Sequence, residues 1–223
     1  MEHEIIPANR KALIINIDTS LYGSFAEIGG GQEVARHFFQ AGGTSGTIAK
    51  TISAYDKRFS DSFYNNNKQG RHVSEGRLIK MLDYEYKELT SLLSTDLDET
   101  TFFALANTME VLNYSKTNKS HGWMGVKYQL TPNSEPNLVV IHIKLLENDA
   151  LMQQTTIGFL GVNLLYACKF YHDSPNTFLK SLTDNVSVDR FRITIMRMSG
   201  PDLDYIDNKL LAVQLVKNKM TRS

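Results

Sequence analysis

Residues 121–147, HGWMGVKYQLTPNSEPNLVVIHIKLLE, decide the fold. Two strand-like runs, HGWMGVKYQL and NLVVIHIKLLE, flank TPNSEPN, whose prolines and asparagines suit a hairpin loop. So short a connection implies antiparallel pairing. A third run, TFFALANTME at 101–110, precedes the pair, and DRFRITIMRM at 189–198 supplies a later strand. The apolar run KALIINI at 11–17 reads as a first strand ending at Asp18.

Helical signals fill the intervals. Leu78, Leu82, Tyr86, Leu89 and Leu93 recur at helical spacing behind Ser74, which reads as an N-cap. Residues 150–171, ALMQQTTIGFLGVNLLYACKFY, are apolar almost all round, so this helix is central or packs against a second subunit. Gly158 and Gly161 would let another backbone approach it closely. Ser174 and Pro175 open a further helix, and NKLLAVQLVKNKM closes the chain with another. QEVARHFFQ at 32–40 reads as a helix, TIAKTISAYD from Thr47 as a second, and SDSFYNNNKQGRH at 60–72 as a loop. A lone first strand, three helices and then a strand cluster argue for one α+β domain over residues 1–223. Its expected sheet is mixed and mainly antiparallel, with about five strands packed against helices.

Composition excludes several classes of function. Lys plus Arg and Asp plus Glu number 24 each, so no global field favours nucleic acid or acidic lipid. Lys144, Arg190 and Arg192 alternate outward on strands, which reads as a solvated face. Cys168 is the only cysteine, which rules out a disulfide framework and an all-thiolate metal site. It lies on the most apolar helix and reads as a small buried hydrophobe. The N-terminus MEHEIIPANRK is polar where a secretory signal needs positive charge and an apolar run. Ile157–Cys168, the longest apolar stretch, is too short to cross a bilayer. The expected location is the cytoplasm, without a membrane partner.

Seven of the fourteen glycines fall between Gly23 and Gly46, in GSFAEIGGGQEVARHFFQAGGTSG. Glycine between a strand and a helix lets bare N–H groups point at an anion. The P-loop pattern fails, because Gly46 is followed by Thr47, Ile48 and Ala49 before Lys50 and Thr51. The dinucleotide fingerprint fails too, since no glycine stands three residues after Gly31. Two readings stay open. In one, Gly29, Gly30 and Gly31 precede one helix and Gly43 and Gly46 another, and both helix starts hold a phosphate with help from Arg36, His37 and Lys50. In the other, these glycines simply end and start helices in tight space.

Two further clusters carry chemistry. His121 and the sole tryptophan, Trp123, sit at a strand start, where His121 would carry a proton and Trp123 would stack a planar ligand. A half-buried sheet edge accounts for both as well. Asp202, Asp204 and Asp207 lack an EF-hand spacing and suit the first turn of a helix, so no metal site is assigned. No cofactor is indicated.

Four segments together are familiar: YGSFAEIGGGQEVARHFFQAGGTSGTIAKTISAYD, SHGWMGVKYQ, IGFLGVNLL and SGPDLDYIDNKLLAVQLV. They resemble an uncharacterised bacterial family whose members often carry the label "TonB-dependent receptor" and run to about twice this length. The resemblance implies that this chain is the N-terminal part of a longer protein. The label conflicts with the residues, because such a receptor needs a secretory signal and many strands alternating between lipid and lumen. The resemblance therefore lends no activity and no catalytic residues. Two functions remain: a domain, enzymatic or not, that binds a phosphate-bearing small molecule or nucleotide, and a non-catalytic scaffold that forms a homodimer through the 150–171 helix.

Overall fold

A computed structural model describes residues 3–221. The described residues form seven α-helices and a six-stranded sheet, an α+β arrangement. The chain runs α1 (Ala8–Asn16), β1 (Leu21–Gly29), α2 (Val34–Ala41), β2 (Ile48–Ile52), α3 (Lys57–Tyr64), α4 (Glu75–Leu93) and β3 (Thr101–Glu110). It continues through β4 (His121–Tyr128), β5 (Asn137–Leu145), α5 (Ala150–Phe170), α6 (Pro175–Leu182), β6 (Phe191–Ser199) and α7 (Asn208–Lys217). Strand order is β2-β1-β3-β4-β5-β6. β1 pairs in parallel with both β2 and β3, and the pairs β3–β4, β4–β5 and β5–β6 are antiparallel.

The hairpin, the mixed sheet and the helices from residue 74 onward are where the sequence places them. Ser74 accepts a hydrogen bond from the Arg77 N–H, and Asp207 caps α7 through the Lys209 and Leu210 N–H groups. The first sixty residues differ from expectation. KALIINI is helical: Ala8, Lys11, Ala12, Ile15 and Asn16 are buried at spacings of three and four, a stripe hidden from view by its lysine and asparagine. The first strand is LYGSFAEIG, whose glycine, serine and glutamate disguise a strand buried on both faces. Gly23 is required there because a Cβ would lie 2.2 Å from the Phe103 ring. IAKTI within the expected second helix is the edge strand β2, and residues 60–64 of the expected 60–72 loop belong to α3.

Two apolar layers flank the sheet. One contains Phe25, Phe38, Phe103, Leu105, Ile141 and Ile143 with α1, α2, α5, α6 and α7. The other packs Leu78, Met81 and Leu82 of α4 on Ala26, Ala104 and Ala106. α4 rests mainly on β1, β3 and β4, and this second layer reaches β5 only through Leu138 and Val140. α5 is internal. A Cβ at Gly161 would meet Val34 at 2.3 Å and one at Gly158 would meet His37 at 2.8 Å. The close approach at these two glycines thus comes from α2 of the same chain.

Lys11 is fully buried and is neutralised by an interior network. Its Nζ lies 2.7 Å from Asp184 and donates to Asn163, the Ser181 carbonyl and Ser181 Oγ at 2.8–3.0 Å. This network ties α1 to α5 and α6. Burial pulls the Lys11 pKa down from its ordinary value, and Asp184 opposes that shift. Removing one partner of a buried pair strands the other charge, so Asp184→Ala should cost about 3–5 kcal/mol in urea unfolding. A loss within about 1 kcal/mol, the range of exposed pairs, would contradict this assignment.

Candidate functional site

The glycine-rich turn is built for packing. Gly29 has φ +74°, and a Cβ there would collide with the Met109 carbonyl at 2.2 Å. Gly30 donates its N–H to that carbonyl, and Gly31 offers its own carbonyl to the Asn107 side chain. The start of α2 is already occupied by the protein's own anion. The Glu27 carboxylate accepts the Val34 N–H at 3.1 Å, the Ala35 N–H at 2.9 Å and the Asn107 amide at 3.1 Å. A phosphate at that helix start would have to displace a carboxylate that is 5% exposed. Gly43 and Gly46 precede β2 and not a helix, so the second expected helix start does not exist.

The three basic neighbours go to three different places. Arg36 is exposed and faces Glu33 at 3.7 Å. His37 stacks on Phe159 with ring centroids 5.2 Å apart, and burial lowers its pKa. Lys50 reaches across to α4, where it pairs with Glu85 at 2.6 Å and with Glu88. None of the three faces Gly29–Gly31 as an anion clamp.

A different place gathers chemistry. β1, β3 and β5 end at the same edge of the sheet at which β4 begins, since Gly29 is opposite Met109, Glu110 opposite His121, and His121 opposite Lys144. Two adjoining cavities lie along this edge and share Val73 and Leu112. The larger, of about 750 Å³, is lined by His121, Trp123 and His142 together with Arg71, Lys119 and Lys144. The smaller, of about 660 Å³, is lined by Gly29, Gly30, Tyr55, His72, Glu33 and Glu110. His121 and Trp123 therefore neighbour Gly29 and Gly30, about ninety residues away in sequence, whereas Gly43, Gly46 and Lys50 line neither cavity. The uncovered half of the second sheet face opens the larger cavity.

Its electrostatics are one-sided. Glu75 pairs with Arg197, and Glu147 pairs with Arg190 at 2.5 Å. Arg71, Lys119 and Lys144 form no ion pair among the described residues. The cavity thus holds three uncompensated cations beside an aromatic wall. Trp123 packs on His142 with centroids 4.7 Å apart, and His121 Nδ1 lies 3.0 Å from His142 Nε2. Burial, the neighbouring His121, and the Lys144 and Arg71 charges push the His142 pKa down to about 4.

No protein-family model matches the chain, and no curated protein does. Several solved structures share its fold. A competence-damaged protein (CinA) superfamily protein from Klebsiella pneumoniae superposes with a TM-score of 0.50 at 10% identity, covering 71% of this chain and 93% of that one. A CinA superfamily protein from Enterobacter cloacae gives 0.49 at 10% identity, covering 75% and 95%. The competence/damage-inducible protein CihA from Agrobacterium tumefaciens gives 0.46 at 16% identity, covering 74% and 98%. These similarities concern the fold alone. They include no counterpart to the receptor label carried by the resembling family. Among the described residues, no helix is long and apolar enough to cross a membrane.

His142, Arg71 and Glu27 have no motif that marks them in the sequence. His142 was nevertheless within reach: the hairpin register that places Trp123 opposite His142 follows from the TPNSEPN turn. Glu27 is the strongest outlier near the glycine turn. Desolvation pushes its pKa up to about 7, against the opposing pull of the Ala35, Val34 and Asn107 hydrogen bonds. A folded-state pKa above the ordinary 4.5 means folding favours the protonated form. That contribution is complete below pH 4.5 and fades as pH rises through 7. Unfolding free energy should therefore decline between pH 4.5 and 8, and Glu27→Gln should flatten the decline. Parallel profiles for the two proteins would contradict the assignment.

Proposed function

We propose that this chain binds a small molecule carrying a phosphate and a planar group, held in the 750 Å³ cavity over Trp123, His121 and His142. The observation that supports this most directly is the imbalance of charge: three unpaired cations around an aromatic wall, with both lining carboxylates already neutralised. Arg71, Lys119 and Lys144 would surround the phosphate, and Trp123 would stack on the planar group. The volume falls within the range of small-molecule pockets. The adjoining smaller cavity lies at the carboxyl ends of β1 and β3, where open sheets with helices on both faces accommodate ligands, a fold-level analogy. α2 and α4 lie on opposite faces there. Gly29 and Gly30 would contribute backbone to the adjoining cleft, which has no Lys or Arg and so suits the uncharged or cationic end of the ligand.

Trp123 is the only tryptophan, so its emission reports on this cavity alone. Titration with AMP should quench or shift that emission, and the response should weaken with added salt. Lys144→Gln and Arg71→Gln should each weaken binding by about tenfold, equivalent to ~1.4 kcal/mol. Arg36→Ala should leave it unchanged. Emission indifferent to millimolar AMP, ribose 5-phosphate and inorganic phosphate would overturn the proposal.

A further inference from the structure

A series of polar groups runs from Glu110 in the smaller cavity through His121 and His142 in the larger to Thr194 on β6. Glu110 Oε2 lies 4.0 Å from His121 Nε2, and the other Glu110 oxygen accepts from Asn118 at 2.9 Å. His121 Nδ1 meets His142 Nε2 at 3.0 Å, and His142 Nδ1 meets Thr194 Oγ1 on β6. A neutral imidazole has one donor and one acceptor, and an ionised carboxylate only accepts. The Glu110 carboxylate, 4.0 Å away and beyond hydrogen-bonding distance, favours by charge a neutral His121 with its proton on Nε2 and Nδ1 as acceptor. His142 must then donate from Nε2 and accept at Nδ1, and the Thr194 hydroxyl must donate. One carboxylate thereby sets the direction of every bond in the series.

We propose that Thr194, His142 and His121 form a proton relay ending at His121 Nε2, and that it gives the cavity general acid–base chemistry on its bound ligand. The ligand part rests on the binding reading above. His121 would be the catalytic residue, because it lines the larger cavity and its Nε2 faces Glu110 of the adjoining one. His142 and Thr194 would act through it as positioning residues. In the acid direction the His121 Nε2–H bond breaks and the proton passes to a basic atom of the ligand. His142 then gives its Nε2 proton to His121 Nδ1, Thr194 gives its hydroxyl proton to His142 Nδ1, and water reprotonates the exposed Thr194, releasing hydroxide to bulk solvent. No oxidant or metal takes part, and both rings end neutral with their tautomers exchanged. His142 is suited to pass a proton without storing one, since burial and the facing cations of Lys144 and Arg71 keep its ring neutral.

Imidazole nitrogen NMR on the ¹⁵N-labelled chain tests the relay before any ligand is added. At pH 7.5 both His121 and His142 should be Nε2–H tautomers, with a through-hydrogen-bond N–N coupling between His142 Nε2 and His121 Nδ1. Glu110→Ala should convert His121 to a tautomer mixture and abolish that coupling. Thr194→Val should retain the fold and slow solvent exchange of the His142 Nε2 proton several-fold. An Nδ1–H tautomer at His142, or no coupling in the unsubstituted protein, would overturn the relay whether or not AMP binds. The expected tautomers with Trp123 emission unmoved by AMP would retain the relay and overturn only the ligand reading.

Discussion

The carboxylate of Glu27 is the contact on which the rest of the arrangement depends. It leaves β1, caps the first turn of α2 through two backbone N–H groups and takes the Asn107 amide from β3. One side chain thereby fixes a strand, the helix that follows it and the neighbouring parallel strand. Its carboxyl oxygens fill the helix start that a glycine-rich turn would otherwise leave to a ligand. A phosphate-binding loop and an internal cap use the same physics, and here the protein supplies the anion itself. The unpaired cations Arg71, Lys119 and Lys144 lie instead around the larger cavity.

That placement follows from topology. The crossover through α2 lies on one face and the one through α4 on the other, so β1 is flanked by parallel strands and buried on both sides. The pairs from β3 onward are antiparallel, and beyond β4 the α4 layer reaches only Leu138 and Val140 of β5. The boundary between the two regimes passes through β4, whose first residues are His121 and Trp123. A covered half supplies rigidity and an open half supplies access. The larger cavity sits on the line between them.

Much of this was readable from residues 74 onward, because long periodic runs and explicit turn chemistry leave little choice there. Ser74, the TPNSEPN loop, Pro175 and Asp207 each mark an element boundary by a local rule. The first sixty residues resisted because buried polar groups inverted the pattern. Lys11 and Asn16 broke the stripe of a true helix, and Gly23, Ser24 and Glu27 gave a central strand the look of a loop. Each of these is compatible with burial only through a partner far along the chain, Asp184 for Lys11 and Asn107 for Glu27. Local periodicity carries no information about such partners. For the site, residue type alone singled out His121 and Trp123, whereas His142 needed the hairpin register and Arg71 needed the tertiary fold.

The central claim is that the ligand site lies at the boundary of the covered and open sheet and not at the glycine-rich helix start. A map of amide and indole NMR shifts on adding AMP would test it most directly. The account predicts that perturbations cluster on Arg71, Lys119, His121, the Trp123 indole, His142 and Lys144, with Val34, Ala35 and Gly43–Lys50 unmoved. Perturbations centred on Gly31–Ala35, with the Trp123 indole silent, would contradict it.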